Sequence, residues 1–300
     1  MARPSATVKE TSLRTRLGES SDNFGPRLGE SSDGFRTRLG ESSDDAWRID
    51  RRLASSSADC EASTHCGYCS LDTESGMGSH FAKWLSVQAS ERARLFFQRQ
   101  AVVASELSML VASQLDSAEP WIVFPHFCGA DLQQWLAHQP QSLPRMRWVA
   151  IAEQLLRQLS FVHGAGYVHG RLSAEHVWLT NDEQVRLIGL GACQPIGHEA
   201  DEAWLRHRVS TVAGRYLPPE QTGKVNRVPL GRGDGELTSA SDIYSAAVVI
   251  EELSGGRFAT SAVWRCMLAE NPYDRPTAGE LVELFSSYHL ELLGRGRQAA

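Results

Sequence analysis

Apolar residues set the first landmarks along the chain. Within R-A-R-L-F-F-Q-R-Q-A-V-V-A-S-E-L, Leu95, Phe96, Val103 and Leu107 recur at roughly helical spacing and predict one helix. A longer helix is predicted from Arg145 to His163, with Val149, Ile151, Ala152, Leu155, Leu156, Leu159 and Val162 as its buried face. Between the two, Pro120 to Phe124 reads as a strand, and a short helix begins in Ala130 to Leu136 with Asp131 as its cap. Beyond the long helix, Leu172, Val177 and Leu179, then Val185, Leu187 and Ile188, mark two short apolar runs.

Residues 1–46 lack such a pattern. They carry R-L-G-E-S-S-D three times, beginning at Arg16, Arg27 and Arg38, a period of 11. An 11-residue period suits a right-handed helical supercoil only if an apolar stripe accompanies it. Each repeat offers one Leu and at most one Phe, so burial cannot offset the ordering entropy and a disordered tail is predicted. The final G-R-G-R-Q-A-A, residues 294–300, reads as frayed.

With 300 residues, 42% hydrophobic and 22% charged, the chain suits one globular domain plus this tail. A formal net charge of -6 and the absence of a basic cluster argue against a nucleic-acid partner. No apolar run is long enough to span a bilayer, and M-A-R-P-S-A-T lacks the core of a secretory signal, so a cytoplasmic location without membrane attachment is expected. The six cysteines are too scattered for a disulfide scaffold. Cys60, Cys66 and Cys69 with His65 could be drawn as a zinc site, but a second C-x-x-C pair is missing, and metal binding is a minor alternative.

The most informative stretch is Val162 to Gly191, V-H-G-A-G-Y-V-H-G-R-L-S-A-E-H-V-W-L-T-N-D-E-Q-V-R-L-I-G-L-G. It resembles the catalytic and metal-binding loops of bacterial-type Ser/Thr protein kinases, in which H-R-D-L-K-P-x-N is followed by two short strands and D-F-G. The resemblance implies an α+β, bilobal protein-kinase-like fold, with a small β-rich N-lobe over 47–124 and a mostly helical C-lobe over 125–293. It also implies that the reacting residues have been replaced. Arg171 stands where a carboxylate would accept the substrate hydroxyl proton, and a guanidinium cannot act as a base near neutral pH. Ser173 replaces the phosphate-neutralising lysine. His176 and Gly189 replace the asparagine and aspartate that hold magnesium, an ion that prefers oxygen ligands in octahedral geometry.

The same resemblance assigns roles elsewhere. Where glycines would admit the nucleotide phosphates, Leu53 to Asp59 contains none. Lys83 matches the lysine of the family's V-A-x-K, while its glutamate partner's place falls on Gln100. Phe81, two residues before Lys83 and therefore on the same strand face, takes the roof position over adenine. Trp178 takes the floor and Phe124 the rear wall, so the adenine slot is predicted to be filled by the chain itself; a one-residue slip in register would put Ala82 on the roof instead. His169, Glu220, Asp242 and Arg275 match scaffold positions: Glu220 and Arg275 as a buried ion pair, Asp242 as the anchor of the catalytic-loop backbone. Ile243, Ala246, Val249, Ile250 and Leu253 would be the core face of the central C-lobe helix. The span from Gly256 to Trp264 is too short for the helix that often docks substrates in this family.

The reading that follows is a pseudokinase, a kinase-shaped module without a cofactor that binds a protein partner. The alternatives are a divergent active Ser/Thr kinase that binds ATP and magnesium and uses Lys83 with carboxylates such as Glu175 or Asp182, and a non-kinase or zinc-stabilised module on the same fold.

Overall fold

A computed structural model describes residues 38–39, 47–53, 64–71, 79–139, 142–197, 214–221 and 238–298, with side chains to 294. The tail expectation for residues 1–37 and 40–46, most of the Leu53 to Asp59 loop and Cys60 lie outside the described residues.

The N-lobe is a six-stranded antiparallel sheet in the order β1-β2-β3-β4-β6-β5. Its strands are β1 (Arg38–Leu39), β2 (Trp47–Leu53), β3 (Thr64–Leu71), β4 (His80–Leu85), β5 (Ala112–Gln114) and β6 (Trp121–Pro125). Alternation along β4 separates two environments. Ala82 and Trp84 join Trp47, Ile49, Cys69, Trp121 and Val123 on one face. Leu85 joins Phe97, Ala101 and Ile122 on the other, where helix α1 (Glu91–Glu106) packs. Ser90 caps α1 by accepting from the Ala93 N–H at 3.1 Å. Its buried stripe is Ala93, Phe97, Gln100, Ala101 and Ala104, with Val103 beside it.

Three sequence expectations need correction here. Leu95 is 60% exposed, because Phe97, two positions on, takes the core-facing place in α1. Arg38 and Leu39, assigned to the tail, form a strand paired with Arg48 and Trp47. Ala130 and Asp131 belong to strand β7 (Gly129–Asp131), and the short helix α2 (Leu132–Ala137) starts after them. Asp131 is still its cap, accepting from the Gln134 N–H at 2.8 Å.

The C-lobe is built on two helices. α3 (Arg145–Gly164) buries the seven residues expected of it, with Trp148 in addition. α4 (Ser239–Leu253) is buried on nearly every side, as a central helix should be. Around them lie the pairs β8 (Tyr167–Val168) with β11 (Gln194–Pro195) and β9 (Val177–Thr180) with β10 (Val185–Leu187), β9 also pairing with β7. A 3-10 turn at Arg257–Thr260 leads directly into the short α5 (Ala262–Met267), so no full helix separates α4 from α5. The last helix, α6 (Ala278–Gln298), continues through most of the stretch read as frayed. The bilobal α+β architecture is therefore the expected one. Its larger core runs from α1 through α3, β9 and β10 to α4, α5 and α6.

Candidate functional site

The residues that the kinase resemblance assigns to the site stand on β4, α1, β6 and the linker after it, the loop from His169 to His176, β9, and the turn at Gly189. Hydrogen bonding holds the loop from behind. Asp242, fully buried near the start of α4, accepts from the His169 N–H at 2.7 Å and the Gly170 N–H at 2.9 Å, and lies 2.9 Å from His163 Nε2. Burial pushes this carboxyl upward, but the His163 hydrogen bond and charge, with the charge of His169 and the Gly170 N–H, outweigh it, so its pKa lies below the ordinary value. The His169 ring reaches across to the Ile188 carbonyl at 2.9 Å, tying the loop to the turn that precedes Gly189. His163, which completes the Asp242 site, was not singled out in the sequence; its signal was a polar residue one position past Val162 on a buried helix face.

The front of the loop is arranged differently. Ser173 Oγ and His176 Nδ1 are 2.8 Å apart, so the residues at the lysine and metal-ligand positions of the kinase motif bind each other. Both are buried, as is Arg171. Gly189 has φ +82°, and a Cβ placed on it would lie 2.2 Å from Cδ2 of His176. The imidazole thus occupies the space through which an aspartate side chain would leave the backbone. Magnesium does not fit the residues present: an imidazole engaged by a hydroxyl, a guanidinium and a glycine supply no octahedral oxygen set. Asp182, considered as a substitute carboxylate, sits in the β9–β10 turn and accepts from Thr180 Oγ1. Glu175 is exposed.

On the N-lobe side, Lys83 pairs with Cys66 and Ile122 in the sheet and lies on the α1 face, opposite Ala82. Among the described residues its side chain has no hydrogen bond or ion pair. Gln100 is buried in α1, with its side-chain amide 3.8 Å from a Cβ placed on Gly191. A neutral amide therefore stands between the helix and the loop where the motif has a carboxylate.

The register puts Phe81, not Ala82, on the Lys83 face. The Phe81 ring lies 6.5 Å from Phe124 and 6.3 Å from Tyr68, and Tyr68 lies 4.5 Å from His126. Trp178 donates its indole N–H to the Phe127 carbonyl at 3.0 Å, and Arg186 covers the Phe127 ring at 5.0 Å. The linker after β6 thus has one of its backbone acceptors taken by the chain's own side chain. Phe81 turns towards Tyr68 and Phe124, while Trp178 turns towards the linker. Tyr68 and His126 were missed in the sequence, although alternation along β3 from Cys66 would have placed Tyr68 on the cleft face.

The zinc alternative fails on strand geometry for the described ligands. Cys69 is buried on the tryptophan-rich face with His65 packed near Trp84, whereas Cys66 lies on the opposite face, next to Lys83 in register. Among the described residues no group of three or more metal-binding side chains comes together.

Further down the C-lobe, Arg275 donates to Glu220 through both terminal nitrogens, at 2.8 and 2.7 Å. The same guanidinium donates to the Ala269 and Ala240 carbonyls and stacks over Tyr244 at 5.2 Å. Its side chain is fully buried, and Ser241 Oγ adds a bond to Glu220 at 3.2 Å.

Comparison with known proteins fits this geometry. Residues 86–263 match the family model described as protein tyrosine and serine/threonine kinase. The serine/threonine-protein kinase pkn3 of Myxococcus xanthus is 29% identical over 209 residues, which covers 61% of this chain and 36% of that protein. A probable serine/threonine-protein kinase of Streptomyces coelicolor is 27% identical, covering 52% of this chain and 23% of its own length. Serine/threonine-protein kinase PAK 4 of Homo sapiens is 26% identical, covering 53% and 24%. The match thus spans between 23% and 36% of the length of these relatives. No helix among the described residues is long and apolar enough to cross a membrane.

Proposed function

The chain belongs to the protein tyrosine and serine/threonine kinase family, and from that premise we propose that it is a pseudokinase: a kinase-shaped domain that transfers no phosphate and serves as a protein-interaction or regulatory module. The observation that carries this reading is the His176 ring over Gly189, braced by Ser173. The metal position is closed by a packed side chain and not merely left without ligands. Arg171 removes the proton acceptor from the same loop. A single stabilising arginine in related chemistry is worth ~10³ to 10⁵ in rate, so the joint loss of base and both metal ligands takes turnover below detection. No ATP and no magnesium is required for the proposed role. The partner is a protein, since the net charge of -6 offers no footprint for nucleic acid. The thiols of Cys69, Cys128, Cys193 and Cys266 suit the reducing environment of the cytoplasm.

The test is radiolabelled phosphoryl transfer from ATP, with magnesium or manganese, to the chain itself and to generic protein substrates. We expect no incorporation. Metal-dependent incorporation that disappears in Lys83→Met would establish an active kinase and overturn the proposal. Label that persists in Lys83→Met would mark a copurifying enzyme.

A further inference from the structure

β1 is part of the repeat. Arg38 and Leu39 are the first two residues of the third R-L-G-E-S-S-D unit, and they add an edge strand to the N-lobe sheet opposite Arg48 and Trp47. Leu39 is 0% exposed and sits in one cluster with Trp47, Ile49, Trp84, Trp121 and Val123, on the sheet face away from α1. The repeat thus supplies what an edge strand needs: backbone to pair and one apolar side chain to bury.

The other two units carry the same residues. Arg14–Asp22 and Arg36–Asp44 both read R-T-R-L-G-E-S-S-D, an identity over nine successive positions. The middle unit keeps R-L-G-E-S-S-D and has Pro26 in place of Thr37, a residue tolerated at the entry to an edge strand. We propose that the slot beside β2 is a docking site for the repeat as a unit, and that the first and second repeats of the same chain occupy it in place of the third.

Chain length sets the order of preference. From the residue after the docked leucine to the residue before Trp47, the connector is residues 40–46, 29–46 or 18–46 for the third, second and first repeats. Loop-closure entropy then favours the third over the second roughly fourfold and over the first roughly eightfold. The third repeat is the dominant occupant, and the other two are reserves that keep the edge covered when it is modified or engaged elsewhere. This inference does not depend on the absence of catalysis.

The experiment is hydrogen exchange of the 47–53 segment in the full-length chain. Leu39→Asp alone should lower its protection by about fourfold, because the remaining repeats take over. Leu17→Asp with Leu28→Asp should leave it close to wild type. The triple variant should lose at least tenfold more protection than Leu39→Asp. Equal loss in the single and triple variants, or no loss in the triple, would overturn the proposal. A second readout covers a triple variant that fails to fold. In the Leu39→Asp chain, Arg16→Cys and Arg48→Cys would stand at the register of Arg38 and Arg48, where cross-strand Cα spacing suits a disulfide. Mild oxidation should give an intrachain 16–48 link. No link, or a link only between two chains, as a second copy occupying the slot would give, would overturn intrachain exchange.

Discussion

The loop from His169 to His176 has two sides, and they differ. Its back is held by Asp242 through two backbone N–H groups, with His163 completing the site. Its front presents Arg171, Ser173 and His176, of which the last two bind each other. Relative to the kinase motif, the anchors are the expected residues and the reagents are not. An anchor satisfies buried polar groups, and its loss leaves donors unpaired in a core, whatever the protein does. A reagent position answers only to chemistry. On the proposed reading chemistry is not required of this loop, so residues that satisfy one another in the space will serve, as a hydroxyl with an imidazole does.

The largest effect expected from breaking this contrast is on the anchor side. Arg275→Leu removes four guanidinium hydrogen bonds at one stroke and leaves Glu220 without its cation. Breaking one side of a buried pair typically costs ~3–5 kcal/mol. For a domain of this size that corresponds to a drop in melting temperature on the order of 10 °C, measurable by differential scanning calorimetry. A variant melting within a degree of wild type would show that the pair contributes nothing.

Asp242→Asn tests the loop anchor itself. One acceptor oxygen becomes an NH2 facing donors, at a cost of about 1–3 kcal/mol. The pH dependence separates charge from shape. Because the folded carboxyl titrates below its ordinary value, its contribution is complete above the unfolded pKa of about 4 and is lost as pH falls through the lower folded pKa. The stability gap between wild type and Asp242→Asn should therefore narrow on acidification below about pH 4. A gap constant down to pH 2 would mean that the carboxylate charge plays no part.

On the reagent side, Gly189→Asp restores the motif residue and should still destabilise. The new Cβ meets His176 at 2.2 Å, and a side chain at φ +82° adds roughly 1–2 kcal/mol of backbone strain. Adding His176→Asn should recover part of the loss, a non-additivity of the kind shared contacts produce. Urea midpoints of the two single variants and the double variant would measure it, and simple additivity would refute the steric account.

Much of this was legible from the residues because buried helices and paired scaffold residues leave spacing behind. The α3 face, the Glu220 and Arg275 pair and the Asp242 anchor were each readable from periodicity or motif. Position on α1 was less so: Leu95 and Phe97 both suit a helix, and only the sheet beneath decides which is buried. The docking of Leu39 left almost no signal, because two residues of edge strand carry no period and the surrounding repeat is polar. Side-chain pairing across the cleft was also hidden. That Ser173 would turn to His176, and Trp178 to the Phe127 carbonyl, depends on rotamers that sequence does not encode separately.

The smallest expected effect concerns nucleotide. Trp178 donates to the Phe127 carbonyl, and Phe81 packs with Phe124 and Tyr68, contacts from which the proposed reading expects poor binding of a flat base. Wild type should show no saturable rise in melting temperature with ATP, with or without magnesium. Phe81→Ala with Trp178→Leu opens both walls and frees the carbonyl, though it restores neither the Gln100 position nor the metal ligands. Any binding gained would be weak and independent of magnesium. A ligand at ten times its Kd stabilises by about 1.4 kcal/mol, a rise of roughly 3–5 °C here, and millimolar ATP should produce no more than that. A saturable shift of wild type at micromolar ATP would show the cleft open and separate nucleotide binding from the loss of catalysis. A magnesium-dependent shift in the double variant would go further, because it would require a metal site in the space His176 fills.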